Sequence, residues 1–157
     1  MSRIIATTLV AAPIEPVFAV YTDLAKAAER IPDITALELL TEGPVGEGTR
    51  WRETRVMFKK EAVEEMWITS FDPPRGYTVE ANSHGMRYET LFTFVDEAGG
   101  TRVTWTFNGT PLTLGTKIMA PIFGLLFNGV MKKCLQRDLE ALRDVCEQGE
   151  TSGAAAG

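Results

Sequence analysis

Residues 86–108 read MRYETLFTFVDEAGGTRVTWTFN, two alternating segments on either side of a glycine-containing turn. When Phe94 is set opposite Val103 across this turn, one face of the hairpin becomes aromatic and the other polar. The aromatic face carries Thr90, Phe92, Phe94, Val103, Trp105 and Phe107, and the polar face carries Glu89, Thr93, Thr104 and Asn108. This division predicts two antiparallel strands with one buried side.

The alternation continues toward the N-terminus and is interrupted by turn-forming residues. Five such turns, at 43–48, 59–60, 72–76, 83–85 and 97–100, are rich in Gly, Pro, Asp or Lys. They predict six strands, near 34–41, 49–58, 61–71, 77–82, 86–95 and 101–108. Residues 3–11 are β-branched and apolar, so they predict one further strand at the start of the chain.

Helical periodicity frames these strands. Pro13 suits the first turn of a short helix, a second short helix fits between Asp23 and Pro32, and residues 114–148 form a long helix. The fold class is therefore α+β: a curved seven-stranded antiparallel sheet with two short helices, wrapped around a long C-terminal helix. We expect one domain over residues 1–148 and a disordered tail over residues 149–157.

The composition of the 157 residues excludes several classes of function. With 16 basic and 21 acidic side chains, the net charge of −5 argues against a nucleic-acid partner. One His and two Cys are too few for a structural zinc site, so we expect no metal and no cofactor. Cys134 and Cys146 lie about 18 Å apart along one helix, too far for a disulfide. Because the N-terminus also lacks a signal-peptide pattern, we expect a cytoplasmic protein.

The hairpin around Lys59-Lys60 leaves two alternatives open. Its predicted register sets Met57 opposite Ala62, Arg55 opposite Glu64, Glu53 opposite Met66 and Trp51 opposite Ile68. One parity points Trp51, Glu53 and Arg55 inward with Met66 and Ile68. The other parity buries Val56, Phe58, Val63 and Trp67 and exposes the charges. Hydrophobicity alone does not choose between the two.

Four polar residues are candidates for catalysis: Glu53, Arg55, His84 and Tyr88. His84 is the residue whose ordinary pKa lies near neutrality, but its place in Ser-His-Gly also fits a simple turn residue with positive φ. Glu53 and Arg55, with Glu64, form either a buried ion-pair cluster or pairs on the solvent face. Tyr88 points inward in the register given above.

The segment 118–131, IMAPIFGLLFNGVM, is apolar on all sides of its helix. It is shorter than the ~20 residues that a membrane-spanning helix needs. The favoured interpretation is a core helix kinked at Pro121. The alternatives are a cavity lid that touches a membrane transiently while loading a ligand, and a contact in a homodimer.

Six segments carry a family resemblance, in this order: AAPIEPVF at 11–18, YTD at 21–23, GEGTRW at 46–51, FDPPR at 71–75, GTRVTW at 100–105, and MKK with DLEAL between 131 and 142. They resemble the SRPBCC (START-like, helix-grip) superfamily, on its polyketide cyclase/dehydrase-like branch. These segments are turns, strand ends and helix starts, and the resemblance covers roughly residues 3–147. The resemblance implies a helix-grip fold with a deep cavity for lipids, quinones or polyketides, in which some relatives catalyse and many bind.

We therefore expect the chain to bind a hydrophobic or amphipathic small molecule between sheet and C-terminal helix. The expected wall is Trp51, Met66, Ile68, Tyr77, Met86, Tyr88, Phe92, Trp105 and Phe107 from the sheet, with Phe123, Phe127 and Met131 from the helix. One alternative is an aromatase/cyclase-like enzyme in which Glu53, Arg55, His84 or Tyr88 moves protons. Another is a lipid carrier or partner-binding regulator that docks through residues 118–131.

Overall fold

A computed structural model describes the backbone of residues 2–57 and 59–156, and the side chains of residues 3–56, 59–119 and 128–148. The strands are β1 (Ser2–Val10), β2 (Ile34–Leu39), β3 (Arg50–Met57), β4 (Lys60–Asp72), β5 (Gly76–Ser83), β6 (Met86–Glu97) and β7 (Gly100–Pro111). The helices are α1 (Ile14–Thr22), α2 (Ala27–Arg30) and α3 (Leu114–Ala156), with a 3₁₀ turn at Leu24–Lys26. The predicted α+β fold is confirmed.

All seven strands belong to one antiparallel sheet, in the order β1-β7-β6-β5-β4-β3-β2. Strands β2 to β7 form a meander, and β1 returns to pair with β7. The predicted register of β6 and β7 is confirmed, with Phe94 opposite Val103 and Phe92 opposite Trp105. The aromatic face is therefore the inner face of the sheet, and Phe94, Val103, Trp105 and Phe107 are all buried.

Around α1 the interior is packed solid. The ring of Phe18 meets the rings of Tyr77 and Phe94 edge-on, with centroids 5.8 and 5.1 Å apart. The Tyr21 hydroxyl donates a hydrogen bond of 3.0 Å to the backbone carbonyl of Leu139, which ties α1 to α3. Since Leu139 is fully buried, the second half of α3 lies inside the curve of the sheet.

The β3–β4 hairpin adopts the parity in which its charges point inward. Glu53 is 7% exposed, whereas Val56 and Val63 are 40% and 58% exposed. The predicted pairing of this hairpin was wrong by two residues: Arg55 lies opposite Ala62 and Glu53 opposite Glu64. The reason is that β4 already begins at Lys60, which pairs with Met57 across a turn where Lys59 has a φ of +62°.

The first part of α3 does not pack as the sequence indicated. Ile118, Met119 and Val130 are 63%, 41% and 38% exposed, so the core interpretation is wrong for these three side chains, whereas Met131 at the end of the segment packs against the core. The sheet interior is already covered by later residues of the same helix, Leu135, Leu139 and Leu142. No helix in the described ranges is long and apolar enough to cross a membrane. The predicted tail at 149–157 lies outside the described side chains.

Candidate functional site

A cavity of about 520 Å³ lies between the inner face of the sheet and α3. Of the expected wall residues, the structure places Trp51, Met66, Tyr77, Tyr88, Phe92, Trp105, Phe107 and Met131 around it. A cavity of this size accommodates one small organic molecule. The sequence reasoning missed the part of the wall formed by Leu24, Ala27, Ile31, Ile34 and Leu37. The apolar residues on both sides of Pro32 were a signal for it.

Of the remaining expected wall residues, two lie elsewhere and two have side chains that the structure does not describe. Ile68 is 2% exposed and belongs to the packed core rather than to the cavity wall. Met86 stands at the start of β6 with its Cε over Gly109, and it is not among the residues around the cavity. Phe123 and Phe127 belong to α3, but their side chains lie outside the described residues.

Arg55 is the centre of a buried charged cluster at one side of the cavity. Because Glu53 and Arg55 stand two positions apart on β3, both side chains project from its inner face. Arg55 donates through Nε to Glu53 Oε1 at 3.0 Å and through Nη1 to Asp138 Oδ2 at 2.7 Å. All three residues line the cavity. The guanidinium is thus held in a fixed orientation by two carboxylates.

Asp138 is a member of this cluster that the sequence reasoning missed. It lies on the stripe of α3 that also carries Leu135, Leu139 and Leu142, and it is 1% exposed. A lone carboxylate among leucines at helical spacing is the signal that could have identified it. Its Oδ1 atom is buried without a hydrogen-bond partner among the described residues.

Burial raises the pKa of Asp138 from its ordinary 3.8 to about 6, although the Arg55 guanidinium pulls it the other way. Burial also opposes the charge on Arg55, but the carboxylates of Asp138 and Glu53 outweigh this and raise its pKa. The cluster therefore contains a permanent cation and an acid that exchanges its proton near neutral pH.

A second polar group of residues lies at the β4–β5–β6 side of the cavity. The Ser83 hydroxyl donates to Glu64 Oε1 at 3.0 Å, and Ser83 Oγ lies 2.7 Å from His84 Nδ1. Because that hydroxyl has one hydrogen and donates it to Glu64, Nδ1 of His84 is the donor of the second bond. His84 is an exposed turn residue with a φ of +50°, as expected, and it also lines the cavity.

The other candidate, Tyr88, stacks on Phe107 with centroids 5.4 Å apart. Burial, and then the nearby carboxylate of Glu64, raise the pKa of its phenol, which stays protonated at neutral pH. Glu64 lies directly opposite Glu53 across the β3–β4 pair. The Glu53–Arg55 cluster and the Glu64–Ser83–His84 group therefore meet at the neighbouring strands β3 and β4, whereas Tyr88 stands on β6.

Two tryptophans of the wall have unused hydrogen-bond donors. Nε1 of Trp51 and Nε1 of Trp105 are buried and have no acceptor among the described residues. A buried donor without a partner costs about 1–3 kcal/mol. The cavity therefore combines an aromatic wall, unsatisfied donors and a fixed guanidinium. This arrangement suits binding of an amphipathic molecule and proton transfer to or from it.

Comparison with known proteins agrees with this architecture. The family model described as "Polyketide cyclase / dehydrase and lipid transport" matches residues 1–147. No curated protein matches the chain.

Three solved structures resemble it over nearly their whole length. The Zhui aromatase/cyclase from Streptomyces sp. R1128 has a TM-score of 0.79 at 16% identity, with 93% of each chain covered. A START superfamily protein from Mycobacterium smegmatis has a TM-score of 0.77 at 15% identity, covering 94% of this chain and 99% of that one. The protein TTHA0849 from Thermus thermophilus has a TM-score of 0.73 at 24% identity, covering 92% and 96%. At these identities the likeness shows the fold alone.

Proposed function

The chain belongs to the polyketide cyclase / dehydrase and lipid transport family, and from this membership we propose that it binds one hydrophobic or amphipathic small molecule in its cavity. Lipids, polyketides and quinones are the classes that fit. The observation that carries the proposal is the unfilled space of about 520 Å³ inside an otherwise packed fold. A folded domain ordinarily fills its interior to the density of an organic crystal, so a space of this size indicates a guest.

The chemistry of the wall supports an amphipathic guest. Phe92, Trp105 and Phe107 offer ring surfaces for an apolar body, and Met131 adds a flexible side chain that adapts to its shape. The unpartnered indole nitrogens supply donors for oxygen atoms at a polar end. Binding would satisfy polar atoms that are otherwise buried at a cost.

Filling the cavity is expected to abolish binding. Ala81 is 7% exposed, lines the cavity and lies between Met66 and Tyr88 in the sheet, so an Ala81→Phe substitution places a ring inside the space. We expect at least a tenfold weaker affinity for N-phenyl-1-naphthylamine, a neutral apolar probe, measured by fluorescence titration. Native mass spectrometry of the purified protein should lose any co-purified small molecule in the same variant.

The matched control is Asn82→Phe, which adds the same ring at the next position, on the exposed face of β5. It should bind the probe like the wild type. Equal affinity of both variants would show that the probe does not occupy the cavity.

A second candidate function is favoured by the charged cluster. An acid with a pKa of about 6 beside a fixed guanidinium is suited to proton transfer on a carbonyl compound whose oxygen the guanidinium polarises. In this aromatase/cyclase-like reaction, Asp138 exchanges the proton, Arg55 stabilises the developing negative charge and Glu53 orients Arg55. His84 and Tyr88 are further proton-bearing groups of the same cavity.

Under this second function, Asp138→Asn should lower the rate of ring closure of a linear poly-β-ketone about a hundredfold, followed by absorbance. Binding of N-phenyl-1-naphthylamine should stay within about threefold, because Asn keeps the size and the polarity of the side chain. Glu140→Gln, an exposed position on the same helix, is the control and should keep full activity. A wild-type rate equal to that in buffer would rule the enzyme out and leave the binding function.

A further inference from the structure

The ionisable side chains of the cavity wall are unbalanced in charge. Four carboxylates line it, from Glu53, Glu64, Glu80 and Asp138, together with one guanidinium, from Arg55. Glu80 is neutralised by Arg87, whose Nε donates to it at 2.8 Å. Arg55 neutralises one of the other three carboxylates. Within the described part of the wall, two carboxylates are therefore in excess.

Two of the stretches whose side chains are not described carry no ionisable side chain. Residues 57–58 read MF and residues 120–127 read APIFGLLF, so both stretches are free of ionisable groups. The tyrosines and Cys134 of the wall stay neutral, because burial raises the pKa of each one. His84 lies on the Glu64 side of the cavity, linked to Glu64 through Ser83, and one imidazole can offset at most one of the two carboxylates in excess.

The cation in the wall is already engaged. Arg55 directs Nε to Glu53 and Nη1 to Asp138, so an incoming anion would have to compete with two buried carboxylates for it. The acceptors, by contrast, are in surplus. Oδ1 of Asp138 is buried without a partner among the described residues, and it needs a hydrogen-bond donor.

The chemical class of the ligand inferred next rests on the proposed binding of an amphipathic molecule in the cavity. We infer that the cavity selects amphiphiles with an amine or ammonium group at the polar end, and rejects anionic amphiphiles such as fatty-acid carboxylates. An N–H group of an amine satisfies the unpartnered Oδ1 of Asp138, and its positive charge offsets the excess of carboxylates. A carboxylate would add a further negative charge to the same buried space.

The unpartnered indole nitrogens of Trp51 and Trp105 do not reverse this preference. They are neutral donors, which a carbonyl, ether or hydroxyl oxygen on the ligand satisfies without any added charge. The preferred ligand therefore carries an amine and one or two neutral oxygen acceptors on an apolar body.

Three molecules that differ in one group test the inference on the full chain: decylamine, decanol and decanoic acid, titrated by calorimetry at pH 7.5. We expect decylamine to bind at least tenfold more tightly than decanoate, equivalent to about 1.4 kcal/mol, with decanol between them. Decanoate binding as tightly as decylamine would overturn the selectivity while leaving the proposed function intact. If all three fail to bind while N-phenyl-1-naphthylamine binds, the selectivity is overturned too. If that probe also fails, the proposed function falls with it.

The Glu64→Gln variant tests whether the carboxylates of the cavity wall cause the preference for amines. This variant keeps the hydrogen-bond acceptor for Ser83 but removes one charge, so the ratio of amine to carboxylate affinity should fall at least threefold. Glu65→Gln is the control, since Glu65 is exposed on the opposite face of β4 and pairs with Arg50 at 2.8 Å. An unchanged ratio in Glu64→Gln, or an equal fall in Glu65→Gln, would contradict the inference.

Discussion

Replacing Arg55 with Leu is expected to lower the free energy of unfolding by about 3–5 kcal/mol at pH 7.5, measured by urea denaturation. Arg55 is the shared partner of Glu53 and Asp138, whose side chains are 9% and 2% exposed. Without the guanidinium, two buried carboxylates face each other with no cation between them. Each must then stay charged at a high cost or take up a proton, and either outcome destabilises the folded state.

Arg52→Leu is the matched control for this loss. Arg52 stands on the same strand but on the outer face, with its side chain 47% exposed and paired with an exposed Glu38. Its removal should change stability by less than about 1 kcal/mol. A triple variant, Glu53→Gln with Arg55→Met and Asp138→Asn, should recover most of the loss because it leaves no buried charge. Equal losses in the two single variants would contradict the role given to the cluster.

The parts of the fold that the sequence predicts well are those in which one local pattern decides the outcome. In β6 and β7 the aromatic and polar residues separate cleanly between faces, and the Gly99-Gly100 turn fixes which residue meets which. A shift by one residue would expose every ring, so the register follows from the pattern alone.

The β3–β4 hairpin does not offer such a pattern. Apolar residues occupy both faces, and the face that is buried carries Glu53 and Arg55 rather than Val56 and Val63. The partner that makes this burial tolerable is Asp138, 83 positions away from Arg55 along the chain. A contact of that range is visible only once α3 lies inside the sheet, which is why the charged cluster could not be derived from local spacing.

The first part of α3 illustrates the opposite error. An all-apolar segment indicates burial, yet Ile118 and Met119 are exposed. Hydrophobicity measures the tendency of a segment to leave water but does not say whether the fold has a surface left to cover it. In this chain Leu135, Leu139 and Leu142 already occupy that surface.

The same cluster makes stability depend on pH in a direction opposite to that of most carboxylates. Burial raises the pKa of Asp138 to about 6, so the folded state binds this proton more tightly than the unfolded chain, in which the pKa is near 3.8. The resulting stabilisation is fully present below pH 3.8 and is lost as the pH rises through 6. A difference of about two pKa units is worth about 3 kcal/mol.

Asp138→Asn should therefore remove a pH dependence rather than simply destabilise the fold. Asn resembles the protonated acid and does not titrate. The free energy of unfolding of the variant minus that of wild type should therefore rise by about 2–3 kcal/mol as the pH is raised from 4 to 7.5. Urea unfolding of both proteins across this range measures the change. Asp144→Asn, on the same helix with its side chain 56% exposed, is the control: its free energy of unfolding should depend on pH as that of wild type does. If the same holds for Asp138→Asn, Asp138 is ionised throughout this range, and the proton exchange on which the second candidate function depends does not occur.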